Sequence, residues 1–330
     1  MTGALPSVDE LLDGAVVVAM PMRVRFRGIT EREVLLLRGP AGWGEFGPFP
    51  EYGDDEAAHW LHSAIEAAWQ GPLPARRSRI PVNATVPAIG PERVPEILAR
   101  FPGARTAKVK VAEPGQDLDQ DLARVRAVRE HVPNVRIDAN GGWTVDEAVR
   151  ALAALSADAP LEYAEQPCAS VPELVEVRRR LPQVRIAADE SIRRAEDPMR
   201  VVRAGGADVA VVKVAPLGGV RRLVALAGEL SGHGVEVVVS SALDSAVGIA
   251  TGLAAAAALP ELPYACGLGT GGFFTADVAT LPGMSDGALD VVDVSPEPAM
   301  LDAVRAAPDR VRWWHDRVRR CHSVLAWRGV

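Results

Sequence analysis

Lysine is nearly missing from this chain of 330 residues. Of 36 basic side chains, 33 are Arg, and the only lysines are Lys108, Lys110 and Lys213. A surface cation can be either residue, but Arg holds its proton above about pH 12 and Lys can be tuned to release one. An arginine-rich composition explains why lysine is scarce. It does not explain where the three lysines stand. Cysteine is as scarce, with Cys168, Cys266 and Cys321 and no CxxC. That excludes a disulfide framework and fits a reducing compartment. No run is long enough to span a bilayer, since the longest apolar stretch, Val247 to Leu259, is bounded by Asp244 and Pro260. The first twenty residues carry acids where a signal peptide needs a basic region. A soluble, cytoplasmic protein is expected. An excess of positive charge is also absent: 43 acidic residues leave a net charge of −7. Such a chain is a poor electrostatic partner for nucleic acid or an anionic membrane, so neither is expected.

What is present is the composition of an ordinary globular protein, 48% hydrophobic and 24% charged. The length fits two domains, or one large α/β barrel with an extra lobe. From about Arg79 to Thr270, short β-branched runs alternate with amphipathic stretches of helical period. The strand candidates are IPVNATV, TAKVKVA, VRIDAN, LEYAEQP, VRIAADE, ADVAVVKVA, VEVVVSSA and YACGLGT (264–270). Thr144 and Glu147 have the spacing of a capping box. Eight strands alternating with helices predict a (β/α)8 TIM barrel, with a doubly wound open sheet as the alternative. Residues 1–78 instead suggest two or three antiparallel strands and a helix, an α+β capping domain. The barrel is expected over 79–290, and 291–330 is expected to return to the cap. The stretch after Leu281 reads as loop. His59 and His62 read as surface residues of a helix, and Trp313, Trp314 and His315 as packing.

In such a barrel the chemistry sits at the C-terminal ends of the strands. The polar residues placed there are Lys108 and Lys110, Asp138 and Asn140, Glu165 and Gln166, Asp189 and Glu190, Lys213, and Ser240 and Ser241. Lys108 and Lys110 share one face of their strand. A single acid in such a place reads as a helix cap or a surface ion pair. Three acids on three successive strands, with lysines before and after, read as a site. Converging carboxylates repel one another, and a divalent cation removes the conflict. All-oxygen ligation points to Mg²⁺, with Mn²⁺ as a substitute. A small-molecule carboxylate held there would present its α-carbon between Lys110 and Lys213. Metal and ammonium would stabilise the enediolate formed when the α-proton leaves. Lys108 and the metal would push a neighbouring lysine toward the neutral base.

The set K-x-K, D-A-N, E-Q-P, A-D-E-S and V-K-x-x-x-x-G-G resembles the enolase superfamily, muconate-lactonising branch, over nearly the whole chain. The resemblance implies Asp138, Glu165 and Asp189 as metal ligands, with Glu190 not a direct ligand. It implies Lys110 as acid/base, Lys213 as its counterpart on the other face and Lys108 as an auxiliary cation. The segment PMRVRFRGITEREVLLLRGPAGWGEFGPFPEYG resembles the branch's actinobacterial dehydratases of menaquinone biosynthesis. These carbon–oxygen lyases take 2-succinyl-6-hydroxy-2,4-cyclohexadiene-1-carboxylate and remove water by syn elimination. The same lysine pair also serves racemases of N-acylamino acids and epimerases of dipeptides, so that alternative stays open. A catalytically silent barrel acting as a binding protein is the third reading, opposed by the presence of all five key positions. For substrate binding the candidates are Asn140, Ser240, Ser241, Gly269 within the loop Gly267–Gly272, and Arg27, beside Arg25, in the cap. GLGTGG formally fits a dinucleotide motif, but no clear helix opens after it. A loop whose N–H groups meet a carboxylate suits it better.

Overall fold

A computed structural model describes residues 5–26, 29–193 and 197–329, and for 24–26 and 193 it describes backbone only. Arg27 therefore lies outside the described residues, as does the side chain of Arg25. Three antiparallel strands come first: β1 (Val16–Phe26), β2 (Ile29–Gly39) and β3 (Gly42–Phe46), in that spatial order. Val34, Leu35, Leu36 and Leu37 of β2 are all buried, on both faces of the sheet. Both faces are covered because helix Asp54–Gln70 and the C-terminal helix Pro308–Trp327 contribute to the same core. Trp60, Leu61, Trp314 and Val318 meet the sheet there. The tail also pairs with β1 through Ala19 N to Val304 O and Ala306 N to Val17 O.

The central unit is a closed barrel. After β4 (Arg79–Pro81), which pairs outside this sheet, its strands are β5 (Ala84–Val86), β6 (Thr106–Lys110), β7 (Asn134–Asp138), β8 (Ala164–Glu165), β9 (Ile186–Ala188), β10 (Val209–Lys213) and β11 (Glu236–Ser240). Strands β5 to β11 form one sheet in sequence order, every neighbouring pair parallel. The open-sheet alternative fails because the two edges meet. Cys266 bridges Val82 and Gly267 bridges Ser240, both in parallel sense. The expected eighth strand at 264–270 is thus reduced to two bridging residues. Close approach explains the glycine: a Cβ on Gly267 would stand 2.5 Å from Ser240 Oγ.

The stretch after Leu281 is not all loop. Ala288–Asp290 forms β12, antiparallel to β4, because Leu289 and Ile80 are opposed and both buried. The Thr144–Glu147 capping box is present. His62 is buried rather than exposed, its Nδ1 against the carbonyl of Gly218. The helix that carries it is packed on two sides, by the sheet and by the segment after β10. Among the described residues no helix is long and apolar enough to cross a membrane.

Candidate active site

Strand register lines up the polar residues before any side chain is considered. Lys110 pairs with Asp138, and Asp138 with Glu165, so three adjacent strands place ionisable residues at one level. Lys213 pairs with Ser240 on the far side. Alternation along β6 to β11 turns Lys108, Lys110, Asp138, Glu165, Lys213 and Ser240 inward. Asp189 follows β9 by one residue.

The backbone is strained at this mouth. Among the described residues, five that are not glycine have positive φ, and four of these follow barrel strands: Ala112, Asn140, Gln166 and Leu243. Such conformations persist only where the surroundings over-determine them, and they concentrate at functional sites. Gln166 shows how the mouth is held. Fully buried, it accepts from Asp189 N at 3.1 Å and Ser191 N at 3.2 Å, and donates to Cys168 O and Ser191 Oγ. The ends of β8 and β9 are thereby tied together, along with the carboxylates they carry.

One pocket opens onto this row. Lys108, Lys110, Asp138, Asn140, Asp189 and Lys213 line its ionic side. Thr85, Ser240, Ser241, Gly267 and Thr270 form a hydroxyl-rich wall, and Phe49, Ala242 and Leu243 an apolar one. Ser241 Oγ lies 2.7 Å from Thr270 Oγ1 and donates to Gly267 O at 3.0 Å. Glu165 sits beneath the lining, fully buried, bonded to Lys108. Gly269 does not face this pocket; it belongs to a neighbouring cavity with Arg100 and Phe101. A Cβ there would stand 2.8 Å from the Phe101 ring. Thr270 lies within the loop Gly267–Gly272, whereas Phe49 and Thr85 carry no motif. Between those two, Thr85 carries a signal, a hydroxyl inside an apolar strand.

The charges interlock. Lys108 Nζ bridges Asp138 Oδ2 and Glu165 Oε1, each at 3.0 Å. Lys110 Nζ is 2.5 Å from both Asp138 Oδ2 and Asn140 Oδ1. Lys213 Nζ is 2.5 Å from Asp189 Oδ1. Burial works against the Lys108 cation, but Asp138 and Glu165 outweigh it and hold that lysine well above its usual range. Lys108 is therefore a fixed cation, firmly bound to its carboxylates. Burial likewise opposes the Asp138 carboxylate, and Lys108 and Lys110 override it, holding Asp138 far below the usual value. Glu165 goes the other way: burial, then Asp138, push it up to about 7.

The three carboxylates do not close on a common point. Among the described residues no three His, Cys, Asp or Glu are grouped closely enough to hold a metal ion, because Lys108 stands between two of the acids and Lys213 draws off the third. The donor set nevertheless suits a hard cation. It is all oxygen, and Glu165 Oε2 is buried with no hydrogen-bond partner, a cost that ligation would remove.

Residues 96–296 match the family model described as enolase C-terminal domain-like, and 17–68 the one described as enolase N-terminal domain-like. The chain belongs to the enolase superfamily. The curated o-succinylbenzoate synthase of Mycobacterium ulcerans (strain Agy99) is 64% identical over 319 residues, 97% of this chain and 96% of that protein. At that identity and coverage the chain belongs with the o-succinylbenzoate synthases, and it is an enzyme, a lyase. Solved structures share the fold at lower identity. A muconate lactonizing enzyme from Pseudomonas fluorescens superposes with TM-score 0.74 at 21% identity, over 88% of this chain and 98% of that one. An N-succinyl Arg/Lys racemase from Bacillus cereus ATCC 14579 does so with TM-score 0.73 at 16%, over 89% and 97%.

Proposed function

We propose that this enzyme is a Mg²⁺-dependent dehydratase of menaquinone biosynthesis in the cytoplasm. Its substrate is 2-succinyl-6-hydroxy-2,4-cyclohexadiene-1-carboxylate and its product o-succinylbenzoate. The observation that carries the chemistry is Lys110 and Lys213 lining one pocket, with Asp138 and Asp189 at its floor and Glu165 buried beneath. The 64% identity to a curated relative supports the choice of substrate. Asp138, Glu165 and Asp189 would hold the metal, with Glu190 outside its shell. When bound, Mg²⁺ supplies positive charge to the substrate carboxylate and lowers the barrier to forming the enediolate.

The remaining work falls to this chain's own side chains. Lys110 takes the proton from C1, α to the ring carboxylate. The electrons form the C1–C6 double bond as the C6 hydroxide leaves. Lys110 returns its proton to that hydroxide on the same face, so one water is lost and the ring becomes aromatic. Lys213 stays protonated beside the developing negative charge. Lys108 keeps Asp138 ionised and holds Glu165 in place. Asn140 orients Lys110 through its 2.5 Å contact. Ser240, Ser241 and Thr270 present hydroxyls that can turn from Gly267 O and from one another to the second carboxylate, and Phe49 and Leu243 exclude water from the ring face.

A second reading has its own observation. Lysines on both sides of one pocket also permit 1,1-proton transfer, as in a racemase of N-acylamino acids. The test is direct: purified enzyme is assayed for loss of diene absorbance and, in parallel, for racemisation of an N-acylamino acid. Fast dehydration with racemisation slower or absent supports the proposal. Racemisation with no dehydration refutes it.

A further inference from the structure

The ionic floor of the pocket comes from the barrel, but its apolar wall is shared between the two lobes. Phe49 follows β3, in the cap, while Ala242 and Leu243 follow β11. Leu243 holds φ +61, unfavourable for any residue with a Cβ, so something must over-determine it. Arg32 of β2 does so. It is fully buried, 2% exposed, and is not part of the pocket lining. Its Nε donates to Leu243 O at 3.1 Å, and its Nη2 donates to Gly47 O and reaches Ala242 O at 3.5 Å. The face of the same guanidinium lies over Phe49, 4.4 Å from the ring centroid. The next turn is fastened from the same sheet: Glu45 accepts from Ser245 N at 2.9 Å and from Ser245 Oγ.

We infer that Arg32 is a positioning residue for substrate binding: one buried fork that locks Phe49 and Leu243 into a single wall and so sets affinity without touching substrate. This rests on the pocket being the substrate site. Only Arg fits the task. Three carbonyls and a ring face are served by one planar group, whereas an ammonium is a point charge with no face to stack. The bonds of Arg32 given above go to the wall and to Gly47, so loosening the wall weakens binding more than it slows proton transfer.

The test compares wild type, Arg32→Lys and Gly47→Ala. Gly47→Ala leaves the arginine in place but puts a Cβ 3.0 Å from its Nη2 and 2.7 Å from Val34 Cγ1, which displaces the fork. Steady-state kinetics are measured with the cyclohexadiene substrate, and amide hydrogen exchange over 47–49 and 242–245 without ligand. The inference expects KM to rise about tenfold in Arg32→Lys, with kcat within about threefold, and faster exchange in both segments together. Gly47→Ala should shift both readouts the same way. Unchanged exchange in a folded Arg32→Lys overturns the inference, as does faster exchange with KM within about twofold of wild type. A merely structural cation would be rescued by lysine and would show no KM-against-kcat split. If Arg32→Lys does not fold, Gly47→Ala decides by the same criteria. Wild type inactive on this substrate refutes the dehydratase reading, and hydrogen exchange then still decides whether Arg32 holds the wall.

Discussion

Replacing Lys110 with Arg separates chemistry from charge at one position. Lys110 Nζ is 2.5 Å from Asp138 Oδ2 and its side chain is 15% exposed, so the longer arginine has room to keep the ion pair. Asp138 also retains Lys108 at 3.0 Å. The carboxylate network, and with it the fold, should therefore survive the change. Arg cannot give up its proton at neutral pH, so proton transfer is lost. General-base catalysis contributes about 10²–10⁴-fold, equivalent to about 2.7–5.4 kcal/mol of barrier. The expected result is a fall in kcat of that size, KM within a few-fold, and an unchanged melting temperature. Lys213→Arg is the internal comparison. Lys213 is almost wholly buried against Asp189, so the bulkier side chain costs stability by overpacking, about 1–3 kcal/mol. Its charge persists, so Lys213→Arg should keep more dehydratase activity than Lys110→Arg. The assay is single-turnover decay of diene absorbance for both variants, beside thermal unfolding. Near-wild-type kcat in Lys110→Arg would refute the assignment of the base, whatever the substrate.

Chelation with EDTA should abolish turnover and Mg²⁺ or Mn²⁺ should restore it, while Glu165→Gln should weaken Mn²⁺ binding in a calorimetric titration; full activity in chelated enzyme counts against the three-carboxylate site. Stability should fall as pH rises from about 4.5 to 8, because burial, then Asp244, push Glu45 up to about 8, and the folded protein binds a proton there that the unfolded chain has lost. Glu45→Gln should flatten that slope in pH-dependent melting, and an unaltered slope assigns it to another group. Trp314→Ala removes a buried ring that packs edge-on to Phe46 at 5.6 Å and donates to Glu33, so it should cost about 3–5 kcal/mol in a denaturant titration. A loss below about 1 kcal/mol would mean that the cap core repacks around the gap.

The site was legible in sequence to the extent that its residues break a pattern. Lys108 and Lys110 interrupt an apolar strand at the two-residue period, so their shared inward face could be read directly. Asp138, Glu165 and Asp189 each end such a strand. What sequence could not supply was mutual distance. That Lys108 bridges Asp138 and Glu165, and so is a fixed cation, depends on register between residues 30 and 57 positions apart. The glycine run at 267–272 was also visible. Which of its members faces the pocket depends on the short 3-10 turn Thr270–Phe273, and the structure selects Gly267 and Thr270 over Gly269.

Arg32 was invisible for the opposite reason. In a chain with 33 arginines one more arginine breaks no pattern, and Arg32 stands in the polar start of β2, between Glu31 and Glu33, which gives no sign of a buried cation. The left-handed residues follow the same logic. Asn140 belongs to a residue type that tolerates positive φ, but Ala112, Gln166 and Leu243 do not advertise it. Their conformations are imposed by contacts made after the strands assemble: Gln166 by the amides of Asp189 and Ser191, Leu243 by Arg32. Chemistry-bearing side chains thus announce themselves through local contrast. The groups that hold them in place become identifiable only once the barrel has closed and the cap has docked on it.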